Sequence, residues 1–99
     1  MIKKGLEDVE IFETENASFQ IILAKPIDSY SWYQKGAKLE EGDNVIMQVD
    51  EFIYRLTLRN CSMEDAGSIK FEFYGIESNG SLIVKGTKLV QFRSAYIHR

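Results

Sequence analysis

The feature that most constrains the fold of this chain is a two-residue alternation of apolar and polar side chains, repeated in short segments. It is clearest in residues 17–23 and recurs in residues 54–58 and 69–73. Successive side chains of a β-strand point to opposite faces, so this spacing is typical of strands with one buried face. About eight such segments alternate with turn residues, and none has a convincing helical period. The pattern predicts an all-β sandwich or barrel.

The strands, turns and boundaries can be placed along the chain. The predicted strands are 6–12, 17–23, 28–34, 37–40, 45–49, 54–58, 69–73 and 82–84. Asn-Gly is the strongest short hairpin signal, so we expect Gly75 together with Ser78-Asn79-Gly80 to close the last hairpin. Residues 1–5 are expected to be a flexible lead-in, residues 5–85 the folded domain, and residues 86–99 a basic tail or linker.

Length and charge limit the class of protein. Ninety-nine residues suit one two-sheet sandwich, and a hydrophobic fraction of 44% is ample for one core. The net charge of −3 argues against a nucleic-acid partner, because phosphate binding needs concentrated positive charge. The charge is uneven: residues 85–99 carry four basic and no acidic residues, whereas residues 1–84 carry eight basic and fifteen acidic ones.

Cys61 is the only cysteine, so no disulfide can form within the chain. Small secreted sandwiches usually carry one, so its absence favours a reducing compartment. No apolar run approaches the roughly 20 residues that span a bilayer, and no signal peptide follows Met1. We therefore expect a soluble, cytoplasmic domain without membrane contact. Three Asn-x-Ser acceptor patterns, at Asn16, Asn60 and Asn79, point the other way.

Several motifs together resemble one family. Residues 17–21 read Ala-Ser-Phe-Gln-Ile, residues 32–36 Trp-Tyr-Gln-Lys-Gly, and residues 54–58 Tyr-Arg-Leu-Thr-Leu, followed by Asp-Ala-Gly at 65–67. In this order they resemble strands B, C and E and the following turn of intermediate-set (I-set) immunoglobulin domains. Such domains occur in intracellular muscle proteins such as titin, obscurin, myomesin and myosin-binding protein C. The resemblance covers roughly residues 5–85.

The resemblance implies an immunoglobulin-like β-sandwich of two antiparallel sheets with Greek-key topology and, here, no disulfide. Ile21 and Phe71 occupy the positions of the family's two cysteines, and Ile69 occupies that of a tyrosine which normally bonds to upstream backbone. Packing of Ile21 and Phe71 around Trp32 would replace the covalent link by apolar volume. The residues expected to form the structural core are Phe19, Ile21, Trp32, Leu56, Leu58, Cys61, Asp65, Gly67, Ile69 and Phe71.

No set of residues suits catalysis or a cofactor. The single His98 lies beside the C-terminus, so no nucleophile has a rigidly held base, and one His with one Cys does not make a zinc site. Cys61 can be a redox sensor or a core residue, and its position favours the core. The acidic cluster 40–43 can hold calcium or remain a solvated loop, and we favour the loop. We expect no enzyme, no cofactor and no metal.

The sequence therefore favours a structural and protein-interaction module, one immunoglobulin domain of a larger sarcomeric or cytoskeletal filament protein. Its partners would be filament proteins and neighbouring immunoglobulin or fibronectin domains, bound through a sheet edge or the face carrying Tyr33. The alternative is an extracellular adhesion or receptor domain that has lost its disulfide. For residues 86–99, a linker competes with an extension of the last strand and with a basic segment that docks on an acidic surface.

Overall fold

The structure is a computed structural model that describes residues 1–86. Within this part of the chain it has nine strands and one short 3₁₀ turn at Met63–Asp65. The strands are β1 Ile2–Lys4, β2 Val9–Phe12, β3 Ala17–Leu23, β4 Ser31–Gln34, β5 Ala37–Lys38, β6 Val45–Asp50, β7 Ile53–Leu58, β8 Gly67–Phe73 and β9 Ile76–Lys85. No helix among the described residues is long and apolar enough to cross a membrane.

The strands form two sheets, with the order β1-β3-β7-β6 in one and β2-β9-β8-β4-β5 in the other. Neighbouring strands are antiparallel except β2 and β9, which run parallel. The predicted all-β sandwich of two sheets without a disulfide is confirmed. The tail predicted at 86–99 lies outside the described residues except for Gly86.

The core lies between the sheets and follows the alternation seen in the sequence. In β3 every second residue is buried. Buried residues also alternate along β7, in the same sheet, and along β8, in the facing sheet. Phe71 lies at the centre, with its ring 4.8 Å from that of Trp32 and 5.7 Å from that of Tyr54. Tyr54 keeps its polar end satisfied, because its hydroxyl accepts a 2.8 Å hydrogen bond from the Ile27 amide.

The first strand corrects one expectation. Residues 1–5 were expected to be a flexible lead-in, but Ile2–Lys4 form β1 and pair with the end of β3 at Ile22 and Leu23. The side chain of Ile2 packs against the core, whereas Lys3 and Lys4 stay exposed. One apolar anchor and edge pairing are enough to order a segment whose two lysines read as solvent-exposed.

The last hairpin corrects another. Its turn is Tyr74-Gly75, whose positive φ angles of 49° and 80° suit a two-residue turn, and β9 runs straight through Asn79-Gly80. A Cβ at residue 80 would lie 3.0 Å from the Glu7 carbonyl oxygen. Gly80 is therefore explained by the close approach of the segment between β1 and β2, and not by a turn.

Candidate interaction surfaces

The predicted core residues occupy two kinds of place. Eight of the ten are buried, with 4% exposure or less: Phe19, Ile21, Trp32, Leu56, Leu58, Cys61, Ile69 and Phe71. Asp65, in the 3₁₀ turn between β7 and β8, and Gly67, the first residue of β8, are half-buried. Asp65 acts there as a cap, since its carboxylate accepts a 2.8 Å hydrogen bond from the Ser62 amide at the start of the 3₁₀ turn.

The loop between β7 and β8 is held by the last residue of β4 and by the turn that follows it. Gln34 donates a 2.9 Å hydrogen bond from Nε2 to the Asp65 carbonyl, and Lys35 donates one of 2.6 Å from Nζ to the Glu64 carbonyl. The Lys35 stem also fills the space beside Gly67, where a Cβ would lie 2.6 Å from Lys35 Cγ. We call Gln34, Lys35, Glu64, Asp65 and Gly67 the corner clasp. The role of the corner clasp is structural, because the polar groups of Gln34 and Lys35 both donate to backbone carbonyls.

Cys61 is equally enclosed. It is 2% exposed, and its thiol donates a 3.4 Å hydrogen bond to the Leu58 carbonyl. Burial, and secondarily the nearby Asp65 carboxylate, raises the pKa of the Cys61 thiol. A protonated, buried thiol is a poor nucleophile and a poor metal ligand. Among residues 1–86, no three His, Cys, Asp or Glu side chains come together as a metal site.

The face carrying Tyr33 lies on the outside of the five-stranded sheet. The Tyr33 hydroxyl donates a 3.3 Å hydrogen bond to Glu72, and the Lys70 ammonium lies 4.6 Å from the Tyr33 ring centroid. Lys70 also lies 3.5 Å from the Glu77 carboxylate. Glu72 and Glu77 are directly opposite each other on β8 and β9, so Lys70 and Tyr33 offset a repulsion between like charges. The polar groups of this Tyr33 face are largely satisfied by one another.

The sheet edges are the other surface on which a protein can bind. Within residues 1–86, four strands lie at sheet edges, and β6 is the longest of them, with six residues against three in β1, four in β2 and two in β5. Glu41 lies over the first half of β6, where its Oε2 accepts a 3.0 Å hydrogen bond from the Met47 amide. The sequence suggested only a solvated or calcium-binding loop for Glu41. Its hydrogen bond with Met47 depends on how the loop is aligned with β6, which composition does not reveal.

A further exposed feature is the turn that begins β9. Tyr74 is 64% exposed, and its hydroxyl bonds to the Asp28 carboxylate. That hydrogen bond is the main reason that the pKa of Tyr74 is raised. A shallow recess lined by Pro26, Ile27, Asp28 and Tyr74 adjoins it. The two polar side chains in this lining, Asp28 and Tyr74, bond to each other and are therefore not both available to a small ligand.

The paired sheets, the buried Trp32 and the capped loop before β8 define an immunoglobulin-type sandwich. The chain belongs to the immunoglobulin I-set domain family, whose model matches residues 1–74. It is similar to titin of Drosophila melanogaster, with 30% identity over 82 residues. The match covers 82% of this chain but 0%, to the nearest per cent, of that relative's length.

Solved structures agree with this assignment. The IG27 protein domain superposes with a TM-score of 0.83 at 30% identity, covering 87% of this chain and 97% of that one. A tandem of domains I9–I11 from titin superposes with a TM-score of 0.84 at 24% identity, covering 88% of this chain and 33% of the tandem. The second likeness supports the fold alone.

Proposed function

We propose that this chain is a non-catalytic structural and protein-interaction module, one immunoglobulin domain of a larger filament-associated protein of muscle. The family and the likeness to a titin support this proposal. In this role the domain is a stiff bead that spaces its neighbours and presents its sheet surfaces to other proteins. It acts in the cytoplasm, and needs neither cofactor nor metal.

The observation that carries the proposal is the disulfide-free centre of the core. Ile21 and Phe71 are both 0% exposed, and the Phe71 ring packs edge-on to Trp32 at 4.8 Å. Fully burying such side chains contributes roughly 1.5–3 kcal/mol each, comparable with the roughly 2–5 kcal/mol lost without a disulfide. A core of this kind holds in a reducing compartment, where a disulfide would not persist.

The path of the chain suits a module in a series. The first strand begins beside the end of β3, where Ile2 pairs with Leu23. The last described strand ends beside the start of β3, where the Glu13 amide bonds to the Lys85 carbonyl and the Thr14 amide to the Cys61 carbonyl. The polypeptide thus enters at one end of the sandwich and leaves at the other. Neighbouring domains on the two sides would not compete for the same surface.

Affinity capture from a muscle lysate tests the proposal. The full chain is immobilised beside a variant with Lys88→Ser, Arg93→Ser and Arg99→Ser, which removes nonspecific attraction by the basic segment. We expect both to retain the same sarcomeric proteins, identified by mass spectrometry. Retention that disappears with the three charges would move the interaction from the sandwich to residues 86–99. Failure of both to retain sarcomeric proteins would contradict the proposal.

One observation favours an extracellular alternative. Asn16, Asn60 and Asn79 are all exposed, so each is accessible to glycosylation. Asn16 is nevertheless engaged, since its side-chain oxygen accepts a 3.0 Å hydrogen bond from the Asn60 amide. Expression through a secretory pathway separates the two functions. A glycosylated, stable product would support the adhesion domain, and an unglycosylated or retained product the cytoplasmic one.

A further inference from the structure

The edge strand β6 has main-chain groups that nothing in the described part of the chain pairs. The Asn44 carbonyl accepts from the Arg59 amide, so even-numbered residues here point their main-chain groups toward β7. The odd-numbered residues therefore point outward. Val45 is occupied by its bridge to Gly42, and the Met47 amide donates to Glu41. The Met47 carbonyl and both main-chain groups of Val49 remain for another strand.

The chain itself shows how this edge is used. Gly42 and Val45 exchange two hydrogen bonds, of 3.0 and 3.3 Å, in an antiparallel bridge. The Glu41 carboxylate then supplies the next acceptor, at Met47. The loop thus begins an additional strand along the first half of β6 and stops before Val49. Along the second half of β6, no segment among residues 1–86 pairs with the outer edge of the strand.

Side chains along the same edge are apolar on the row that faces the core. Val45, Met47 and Val49 pair in register with the buried Leu58, Leu56 and Tyr54, and so share their side of the sheet. Val45 and Met47 are half-buried, but Val49 is 50% exposed. An incoming strand that covered Val49 would bury apolar surface in addition to satisfying the main chain.

The surroundings of this edge are strongly acidic. Five carboxylates lie between residues 40 and 51, and there is no lysine or arginine between Lys38 and Arg55. All five are exposed, and the three salt bridges of the described residues use none of them: Glu40, Glu41, Asp43, Asp50 and Glu51. They lie at or beside the two ends of β6. Antiparallel pairing of two copies through this edge would bring acidic ends together, which disfavours self-association here.

We propose that the Met47–Val49 edge is the interaction surface of this domain, and that it takes an extended segment of a protein partner with lysines or arginines on either side of apolar residues. The proposal rests on the proposed function and specifies its surface. Main-chain hydrogen bonds to Met47 and Val49 supply affinity, and the surrounding carboxylates select a basic segment over an acidic one.

The test is NMR titration of the isotope-labelled full chain with two probe peptides. One is Lys-Thr-Lys-Val-Thr-Val-Lys-Thr-Lys, and the other replaces every lysine by glutamate. We expect the basic peptide to shift the amide signals of Met47, Gln48 and Val49 and to slow hydrogen exchange at Val49. The acidic peptide should leave these signals unchanged. Equal binding of both peptides, no binding of the basic one, or shifts confined to another edge would overturn the proposal.

Variants of Val49 sharpen the test. Val49→Pro removes an outward amide that no strand within residues 1–86 uses, and Val49→Lys places a like charge beside the basic peptide. Each should weaken the basic peptide by about tenfold or more. Ile83→Lys is the matched control, since Ile83 is 41% exposed on the other sheet, and it should change affinity less than about twofold. Circular dichroism checks that each variant is folded. If Val49→Pro unfolds, the test rests on Val49→Lys alone.

The lysate capture with Val49→Lys separates this inference from the proposed function. Sarcomeric proteins retained by the wild type but lost with Val49→Lys support both. Retention by both proteins overturns the β6 edge as the binding surface and leaves the proposed function intact. Peptide binding at Val49 without retention of any sarcomeric protein contradicts the muscle function while the basic-segment site stands.

Discussion

Two regions of this domain lack a family landmark, and each compensates differently. At the centre of the core, Ile21 and Phe71 stand where the resemblance places two cysteines, and apolar packing fills the site. Just after the loop that leads into β8, Ile69 stands where the resemblance places a tyrosine that anchors upstream backbone. There Gln34 and Lys35 reach the carbonyls of Asp65 and Glu64 instead. The core thus replaces a covalent bond with apolar packing, and the loop replaces the hydrogen bond of one tyrosine with hydrogen bonds from two other side chains.

The difference follows from what each site contains. The side chains at the two cysteine positions, Ile21 and Phe71, carry no polar group that needs a partner, so any well-packed apolar side chain serves there. The loop carries main-chain carbonyls close to buried side chains, and an unpaired carbonyl costs free energy. The Ile69 side chain, 0% exposed, cannot donate a hydrogen bond, so the donors come from the end of β4 and the turn that follows it. A lost covalent bond can thus be replaced by shape, whereas a lost donor needs another donor.

The largest effect is expected at Phe71, whose ring packs against those of Tyr30, Trp32, Tyr54 and Phe73. Phe71→Ala should lower the free energy of unfolding by about 3–5 kcal/mol, because it leaves a cavity among rigid rings. Urea denaturation measures the change. Phe52→Ala is the matched control, since Phe52 is 43% exposed, and it should cost about 1 kcal/mol or less. Similar losses for both would mean that the centre is not tightly packed.

Restoring the covalent link tests whether volume has replaced it. The double variant Ile21→Cys with Phe71→Cys gives up both apolar side chains, so its reduced form should be much less stable than the wild type. Oxidation should recover about 2–5 kcal/mol, since the link restricts the unfolded chain. Urea denaturation with and without reductant measures the recovery. An oxidised form no more stable than the reduced one would show that the two strands are not placed as the resemblance implies.

What could be predicted from the sequence depends on the range of the interaction. The alternation in 17–23 and 69–73 marks β3 and β8 because burial on one face leaves a local period of two. The prediction of a turn at Gly80 was wrong because glycine suits both a turn and a close approach between two backbone segments. Only the position of the Glu7 carbonyl, which the folded structure gives, distinguishes the two. The corner clasp and the Glu41 bond left no local signal, since each joins segments whose register is set by the completed sheets.

The corner clasp should give a smaller effect than the core. Gln34→Ala and Lys35→Met each remove one donor, and each should cost about 0.5–1.5 kcal/mol. The methionine keeps an apolar stem beside Gly67, so Lys35→Met isolates the hydrogen bond from the packing. Lys38→Met, an exposed lysine on β5, is the control and should change stability by about 0.5 kcal/mol or less.

A double-mutant cycle then separates the two donors of the clasp. Since both bond to adjacent carbonyls of one loop, the combined cost should differ from the sum of the single costs. Hydrogen exchange of residues 62–66 should quicken in both single variants before the rest of the sandwich is affected. Unchanged exchange in this loop would mean that Asp65 capping alone holds it, and the polar compensation would fail.

The smallest effect concerns Cys61, which is buried in the core yet close to Asp65 of the clasp. Burial raises the pKa of its thiol above the ordinary 9.0, so the folded chain holds this proton more tightly than the unfolded chain. The stability that results is complete below about pH 9 and is lost as the pH rises through the folded-state pKa. We expect the free energy of unfolding to fall as the pH rises above about 9, and Cys61→Ala to flatten part of that fall. Tyr30, whose pKa is raised by burial and then by Tyr54 and Glu41, adds a later alkaline loss that the variant leaves in place. An identical slope in both proteins would show that the thiol is already open to solvent, and the core would then be looser on the clasp side than around Phe71.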